Sequence, residues 1–233
     1  MDSDDPIFRL RERPGLKLGI MGGAFDPIHI AHLVTADEAL LQFDLDEMLF
    51  MPAGNPPHKT RDLAPAEFRH LLVAVATASH PRFLVSPYEI DRKQVGYTVE
   101  TLEYLAGVLS HDAALFFVTG ADAVLDILTW KDPAGVLELC TLIAATRPGY
   151  DLSRLSGVLD KLGPGLAGSG PEARVKLMEV PALAISSSMI RERLASGKAV
   201  RYLVPDSVAQ LIEKAGFYSS PSLGTGVNGP CCP

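Results

Sequence analysis

Two clusters in this chain have residue types and spacings suited to handling anions. The first is Gly22-Gly23-Ala24-Phe25-Asp26-Pro27-Ile28-His29-Ile30-Ala31-His32. Its glycines let a backbone approach a ligand closely, Pro27 stiffens the exit, and imidazoles three residues apart share one face of a helical turn. Free amides at a helix start favour negative charge. These features predict a phosphate site. The second cluster is Ile185-Ser186-Ser187-Ser188-Met189-Ile190-Arg191. Its serines offer hydroxyls and amides at another helix start, and Arg191 adds a permanent, forked cation one turn in. A serine-capped surface helix would look similar, so the weight rests on both clusters occurring in one chain. His29 and His32 have no third ligand near them in sequence, which argues against a metal centre.

The flanking segments show how such clusters are positioned. Leu16-Lys17-Leu18-Gly19-Ile20-Met21 is short and apolar, suiting a buried strand that ends at the glycines. Beyond the turn, Ile30, Leu33, Ala36 and Leu40 recur at helical spacing, predicting a helix over residues 29–43. A strand at 48–51 leads into Asn55-Pro56-Pro57-His58-Lys59, a loop with a basic end. Residues 65–79 read as a helix with Phe68, Leu71, Leu72 and Val75 inward, followed by a strand at 83–85. Residues 113–119 are the most apolar strand and end in Gly120-Ala121-Asp122; Asp122 there reads either as a ligand contact at a strand's carboxyl end or as a helix N-cap. Strands at 141–145 and 175–180 follow, and a closing helix after Pro205 stops at Gly216. Strands alternating with helices predict an α/β fold, a doubly wound, mostly parallel sheet of the Rossmann type in a single domain. That domain spans residues 16–218, with a flexible arm over 1–15 and a disordered tail over 219–233.

Composition narrows the function. At 233 residues and 47% hydrophobic content, the chain can bury a full core. A net charge of −7 argues against a nucleic-acid binder but not against one small anionic substrate. No apolar run approaches the roughly 18 residues of a membrane span. Cys140 sits in an apolar stretch, and Cys231 and Cys232 adjoin each other with no zinc spacing, which suits a reducing cytoplasm.

GGAFDPIHIAH resembles the GG-x-F-D-P-x-H-x-G-H signature of the nucleotidyltransferase superfamily, and ISSSMIR resembles its I-S-S-[TS]-x-I-R segment. Within the superfamily the chain is most similar to the nicotinate-nucleotide adenylyltransferases of bacterial NAD biosynthesis. Ala31 stands where these enzymes usually have Gly, and Ala24 where they have Thr or Ser. Gly96-Tyr97-Thr98, Gly120-Ala121-Asp122, Trp130 and Arg147-Pro148-Gly149-Tyr150 also resemble family segments.

The resemblance implies transfer of the adenylyl group of ATP to nicotinate mononucleotide, giving deamido-NAD and pyrophosphate by direct in-line attack. It implies His29, His32, Lys59 and Arg191 as the catalytic set, with the histidines drawn toward the imidazolium form by phosphates nearby. Gly22, Gly23, Ala24, Phe25, His58, Gly120, Asp122, Ile185, Ser187 and Ser188 would hold ATP. Thr98, Trp130 and Lys131 would hold the nicotinate, although Thr98 could equally cap a helix and Trp130 fill core. Mg²⁺ would bind chiefly to the ATP phosphates. A homo-oligomer fits the sequence as well as a monomer does. The rival readings are a sister adenylyltransferase for nicotinamide mononucleotide or phosphopantetheine, and a non-catalytic nucleotide sensor on the same fold.

Overall fold

The computed structural model describes residues 5–56, 63–92, 94–146, 157–158 and 174–218. Six of their segments form one parallel sheet: β1 (Lys17–Gly23), β2 (Glu47–Pro52), β3 (Phe83–Val85), β4 (Ala114–Gly120), β5 (Thr141–Thr146) and β6 (Val175–Glu179). Their order across the sheet is β3-β2-β1-β4-β5-β6. The chain therefore builds outward from β1 in one direction and then returns to build outward from β4 in the other. The predicted doubly wound sheet is present.

Alternation along the strands sends side chains to two separate cores. Leu18, Ile20, Leu49, Met51, Leu115, Phe117, Leu142 and Ala144 face one side. There they meet α1 (Ile7–Leu10), α5 (Thr98–Val108) and α7 (Pro133–Leu139). Met21, Met48, Phe50, Val118, Ile143 and Met178 face the other. That side is covered by α2 (Ile30–Gln42), α3 (Ala66–Thr77), α8 (Ser187–Ala195) and α9 (Asp206–Ala215). Two short helices, α4 (Tyr88–Asp91) and α6 (Ala121–Leu125), complete the connections. Gly216 ends α9 at φ 69°, a left-handed conformation that glycine adopts without steric cost. Among the described residues no helix is long and apolar enough to cross a membrane.

Three expectations change. Residues 5–15 are not a loose arm: Ile7 and Leu10 are 0% and 3% exposed. They lie three apart on one helical turn, so both reach the core in spite of their charged neighbours. Asp5 anchors the segment, accepting from the Ile7 amide at 3.0 Å and from Ser86 Oγ at 2.8 Å. In α3, Leu71 is exposed and Arg69 and Val73 take the inward row. In α2, Ala36, Ala39 and Leu40 are buried, while Ile30 and Leu33 are only half-buried. The tail from 219 onward lies outside the described residues.

Truncating Ile7 to Ala removes side-chain atoms that touch core on every side. The stability of the Ile7→Ala variant in urea should fall by about 2–5 kcal/mol. A loss under about 0.5 kcal/mol would mean that the N-terminal segment does not dock.

Candidate active site

In a doubly wound sheet, ligands bind at the carboxyl ends of the strands where the winding reverses, because connections leave that point in opposite directions and open a crevice. Here the reversal lies between β1 and β4. Two cavities open there, one on each side of the sheet, and both are lined by Gly22 and Thr119. The first, about 440 Å³, is lined by His29, His32, Gly120, Asp122 and Ile185. The second, about 230 Å³, is lined by Gly23, Ala24, Tyr97, Thr98, Trp130 and Lys131.

The turn after β1 is held through its carbonyls. Gly23 O accepts from the Ala53 amide at 2.8 Å. Ala24 O accepts from Arg69 Nη1 at 2.6 Å, Asp26 O from Arg191 Nη1 at 2.7 Å, and Pro27 O from Ser187 Oγ at 2.9 Å. Phe25 adopts φ 46° and packs its buried ring edge-on to His32. Arg69 is 1% exposed and also donates to Ala64 O at 2.9 Å and Gly54 O at 3.2 Å. Sequence reading missed it. The available signal was its place on the buried stripe of α3 with Leu72, Val73 and Ala76, where an arginine must serve buried carbonyls.

His29 is the N-cap of α2 and is 6% exposed; His32 lies one turn on. Their rings stack at 3.7 Å. His32 Nδ1 accepts from the His29 amide at 3.2 Å, so that nitrogen carries no proton. The proton of the neutral ring is then on Nε2, leaving a donor available on the side away from the helix. Burial lowers the His29 pKa to about 4, and burial with the neighbouring His29 takes His32 well below its usual value. The ligand-free pair is therefore neutral rather than imidazolium, and His32 can donate without a charge. His29 Nδ1 is buried at the N-cap, where the side chains of His29 and His32 each face the other's backbone amide.

The second cluster reaches the first. Ser186 caps α8, accepting from the Met189 amide at 3.2 Å. Ser188 Oγ accepts from Arg191 Nη2 at 2.9 Å. The hydroxyls of Ser187 and Ser188 thus bind α8 and its arginine to the turn. Gly120, not Asp122, is the N-cap of α6, and Asp122 lies in the first helical turn.

On the other side, Tyr97 is the N-cap of α5 and Thr98 its first residue, with no side-chain cap. Trp130 is half-buried and meets Phe117 edge-on at 5.9 Å. Lys131 Nζ lies 2.5 Å from Glu100 Oε1 and 4.5 Å above the Tyr97 ring. Glu89, unassigned from sequence, also lines this cavity; Thr101 Oγ1 donates to it at 2.7 Å, and burial pushes its carboxyl up. His58, Lys59 and the 147–150 segment lie outside the described residues. Among the described residues there is no group of three or more His, Cys, Asp or Glu that could hold a metal ion.

Residues 20–193 match the cytidylyltransferase-like family. Over 204 residues the chain is 46% identical to a Thermoanaerobacter protein named "Probable nicotinate-nucleotide adenylyltransferase", covering 87% of this chain and 94% of that one. A Corynebacterium kroppenstedtii protein of the same name is 49% identical over 203 residues, covering 87% and 90%. The chain belongs to the nicotinate-nucleotide adenylyltransferases. The fold agrees: Plasmodium falciparum nicotinic acid mononucleotide adenylyltransferase, solved with APC and with NaAD, matches with a TM-score of 0.68 at 19% identity, over 87% of this chain and 97% of that one.

For this adenylyltransferase the buried His29 makes stability depend on pH. Its folded pKa lies below its unfolded value near 6.5, so the unfolded chain binds the proton first as pH falls. Stability is full above about pH 6.5 and is lost as pH drops toward 4, by about 3 kcal/mol for this group. Denaturation of the ligand-free protein across that range checks it, and His29→Gln should reduce the dependence while leaving the part that buried His32 carries.

Proposed function

We propose that the protein joins nicotinate mononucleotide to ATP, forming deamido-NAD and releasing pyrophosphate. The observation that carries the reading is the pair of cavities on opposite sides of the sheet sharing Gly22 and Thr119. Two substrates entering from the two sides can meet only at that shared wall. ATP takes the histidine cavity. The mononucleotide takes the smaller one, with its ring against Trp130 and its carboxylate toward the uncapped start of α5 and the backbone near Lys131. Free amides at a helix start favour a carboxylate.

The mononucleotide's phosphate oxygen attacks the α-phosphorus of ATP. A P–O bond forms there as the bond to the bridging oxygen breaks, and pyrophosphate leaves in line with the bonding pair. No protein nucleophile is required. Cys140 is a buried core residue whose thiol burial pushes up to about 12. The task of the protein is to hold two anions together and to stabilise charge that grows between them. Orientation alone can lower such a barrier by about 7–11 kcal/mol.

His32 donates from Nε2 to the reacting phosphate, and His29 shares the ground-state contact. Growing charge draws a proton onto the pair, reversing the effect of burial. Arg191, with Lys59 from its loop, holds the β- and γ-phosphates. Gly22, on the wall of both cavities, and Gly23, Ala24 and Phe25 after it shape the turn where the polyphosphate meets the mononucleotide's side, and His58 flanks it. Gly120, Ile185, Ser187 and Ser188 border the adenosine. Mg²⁺ enters as part of the ATP substrate, bound by phosphate oxygens. Asp122, an oxygen donor on the wall of the same cavity, fits that ion. The enzyme works in the cytoplasm on these two small molecules.

A pyrophosphate-release assay with ATP and a panel of nicotinate mononucleotide, nicotinamide mononucleotide and phosphopantetheine tests the reading. A protein that binds ATP but releases no pyrophosphate with any of them is a sensor. His32→Ala should lower kcat by about 10²–10³, the scale of removing one donor at a developing charge. Turnover within about threefold of wild type would remove His32 from the mechanism.

Base choice gives a sharper check. An amide presents NH₂ where backbone donors want an acceptor, and each such mismatch costs about 1–3 kcal/mol. Two of them give the acid a preference of about 10²–10⁴ in kcat/KM. Stacking barely distinguishes the two rings, so Trp130→Ala should weaken both substrates alike and preserve their ratio. Equal use of both by the wild type would overturn the nicotinate assignment.

A further inference from the structure

Tyr218 is the last residue of the described chain, and its hydroxyl donates to Asp26 Oδ1 at 2.7 Å across 192 residues of sequence. Asp26 lies inside the phosphate turn and is 1% exposed. The same carboxylate oxygen accepts from the Ala64 amide at 3.2 Å. Its backbone carbonyl accepts from Arg191 Nη1 at 2.7 Å, and its other carboxylate oxygen lies 3.9 Å from that nitrogen. One residue of the turn is thus gripped from three directions: the approach to α3, the first turns of α8, and the chain beyond α9.

The third grip is built with care. Phe217 packs on Phe68 of α3 with ring centroids 4.5 Å apart, which fixes where the next residue starts. Tyr218 then adopts φ 68°, in the left-handed region that a bulky residue enters only when contacts hold it there. Burial and the adjoining carboxylate push its phenol pKa up, so the hydroxyl stays a donor.

We propose that Tyr218 is a positioning residue for adenylyl transfer: its hydroxyl fixes Asp26, and through Asp26 it fixes both the phosphate turn and the guanidinium of Arg191. A residue beyond α9 thereby sets the geometry of the turn after β1. This inference rests on reading the histidine cavity as the ATP site.

Tyr218→Phe keeps the ring and the Phe217–Phe68 contact and removes one donor. The dissociation constant of a non-hydrolysable α,β-methylene analogue of ATP, measured calorimetrically without mononucleotide, should rise by about tenfold, the scale of one hydrogen bond to a charged group. In steady-state assays kcat should fall by a similar factor, with KM for nicotinate mononucleotide within about twofold of wild type. In an Arg191→Lys background the same change should alter analogue binding by less than about twofold, because coupled residues act non-additively. Purely structural glue would lower the melting temperature and leave the two effects additive.

Placing p-aminophenylalanine at position 218 restores a donor of the same reach and should return analogue binding to within about twofold of wild type. If the phenylalanine variant does not fold, this substitution carries the test alone, and a tenfold loss in it overturns the proposal. Wild-type binding by Tyr218→Phe, or additivity with Arg191→Lys, overturns it too. Failure of the wild type to bind the analogue sinks the ATP-site reading instead, and the proposal with it.

Discussion

A backbone turn that offers its amides to an anion must find partners for its carbonyls elsewhere, because buried carbonyls left unpaired are costly. In this protein Gly23, Ala24, Asp26 and Pro27 each give a carbonyl to a group from a distant part of the chain. Two of those groups are guanidiniums, Arg69 from α3 and Arg191 from α8. Arg69 alone serves three carbonyls, which suits a planar fork with five donors and would not suit the point charge of a lysine. The turn keeps its shape because cationic donors occupy the side that faces the protein.

The second organising fact is the reversal of winding between β1 and β4. It gives one short run of backbone, Gly22 with Thr119 beside it, access to both sides of the sheet. Glycine suits that position: a Cβ on Gly22 would meet the Phe117 ring at 3.2 Å, tighter than ordinary contact, and would thicken the wall between the cavities. In the reaction proposed above, the two mutually repelling anions would meet at this shared wall. Burial holds the pKa values of both histidines down, so the pair is neutral at neutral pH.

Local patterns settled much of this protein from sequence. Short apolar runs and period-3.6 hydrophobicity set the named strands and helices to within a few residues, and the glycine turn, both histidines and Arg191 stood out by type and spacing. Gly216 marked the end of α9. Where local signals were thin or ambiguous, the reading went astray. In the arm over 1–15 Ile7 and Leu10 are the buried apolar residues, too few to show against seven charged neighbours, and only the presence of core above them decides that they dock. Leu71, expected inward, is exposed, and Arg69 lies on the buried row, because helical period fixes a stripe while the neighbours of that stripe fix what it must contain.

Tertiary structure alone decided which segments meet. The joining of α8 to the turn through Ser187 and Pro27 spans 160 residues, and the reach of Tyr218 to Asp26 spans 192. Neither contact leaves a periodic trace in sequence. Both follow from strand order, which places the ends of β1 and β4 side by side and leaves α8 and α9 on the same face as α2 and α3. The residue types and their spacing determined that the chain would bind phosphates. The winding of the sheet determined that two cavities would share a wall, because side-chain alternation says only that a strand has two faces and not what will cover each.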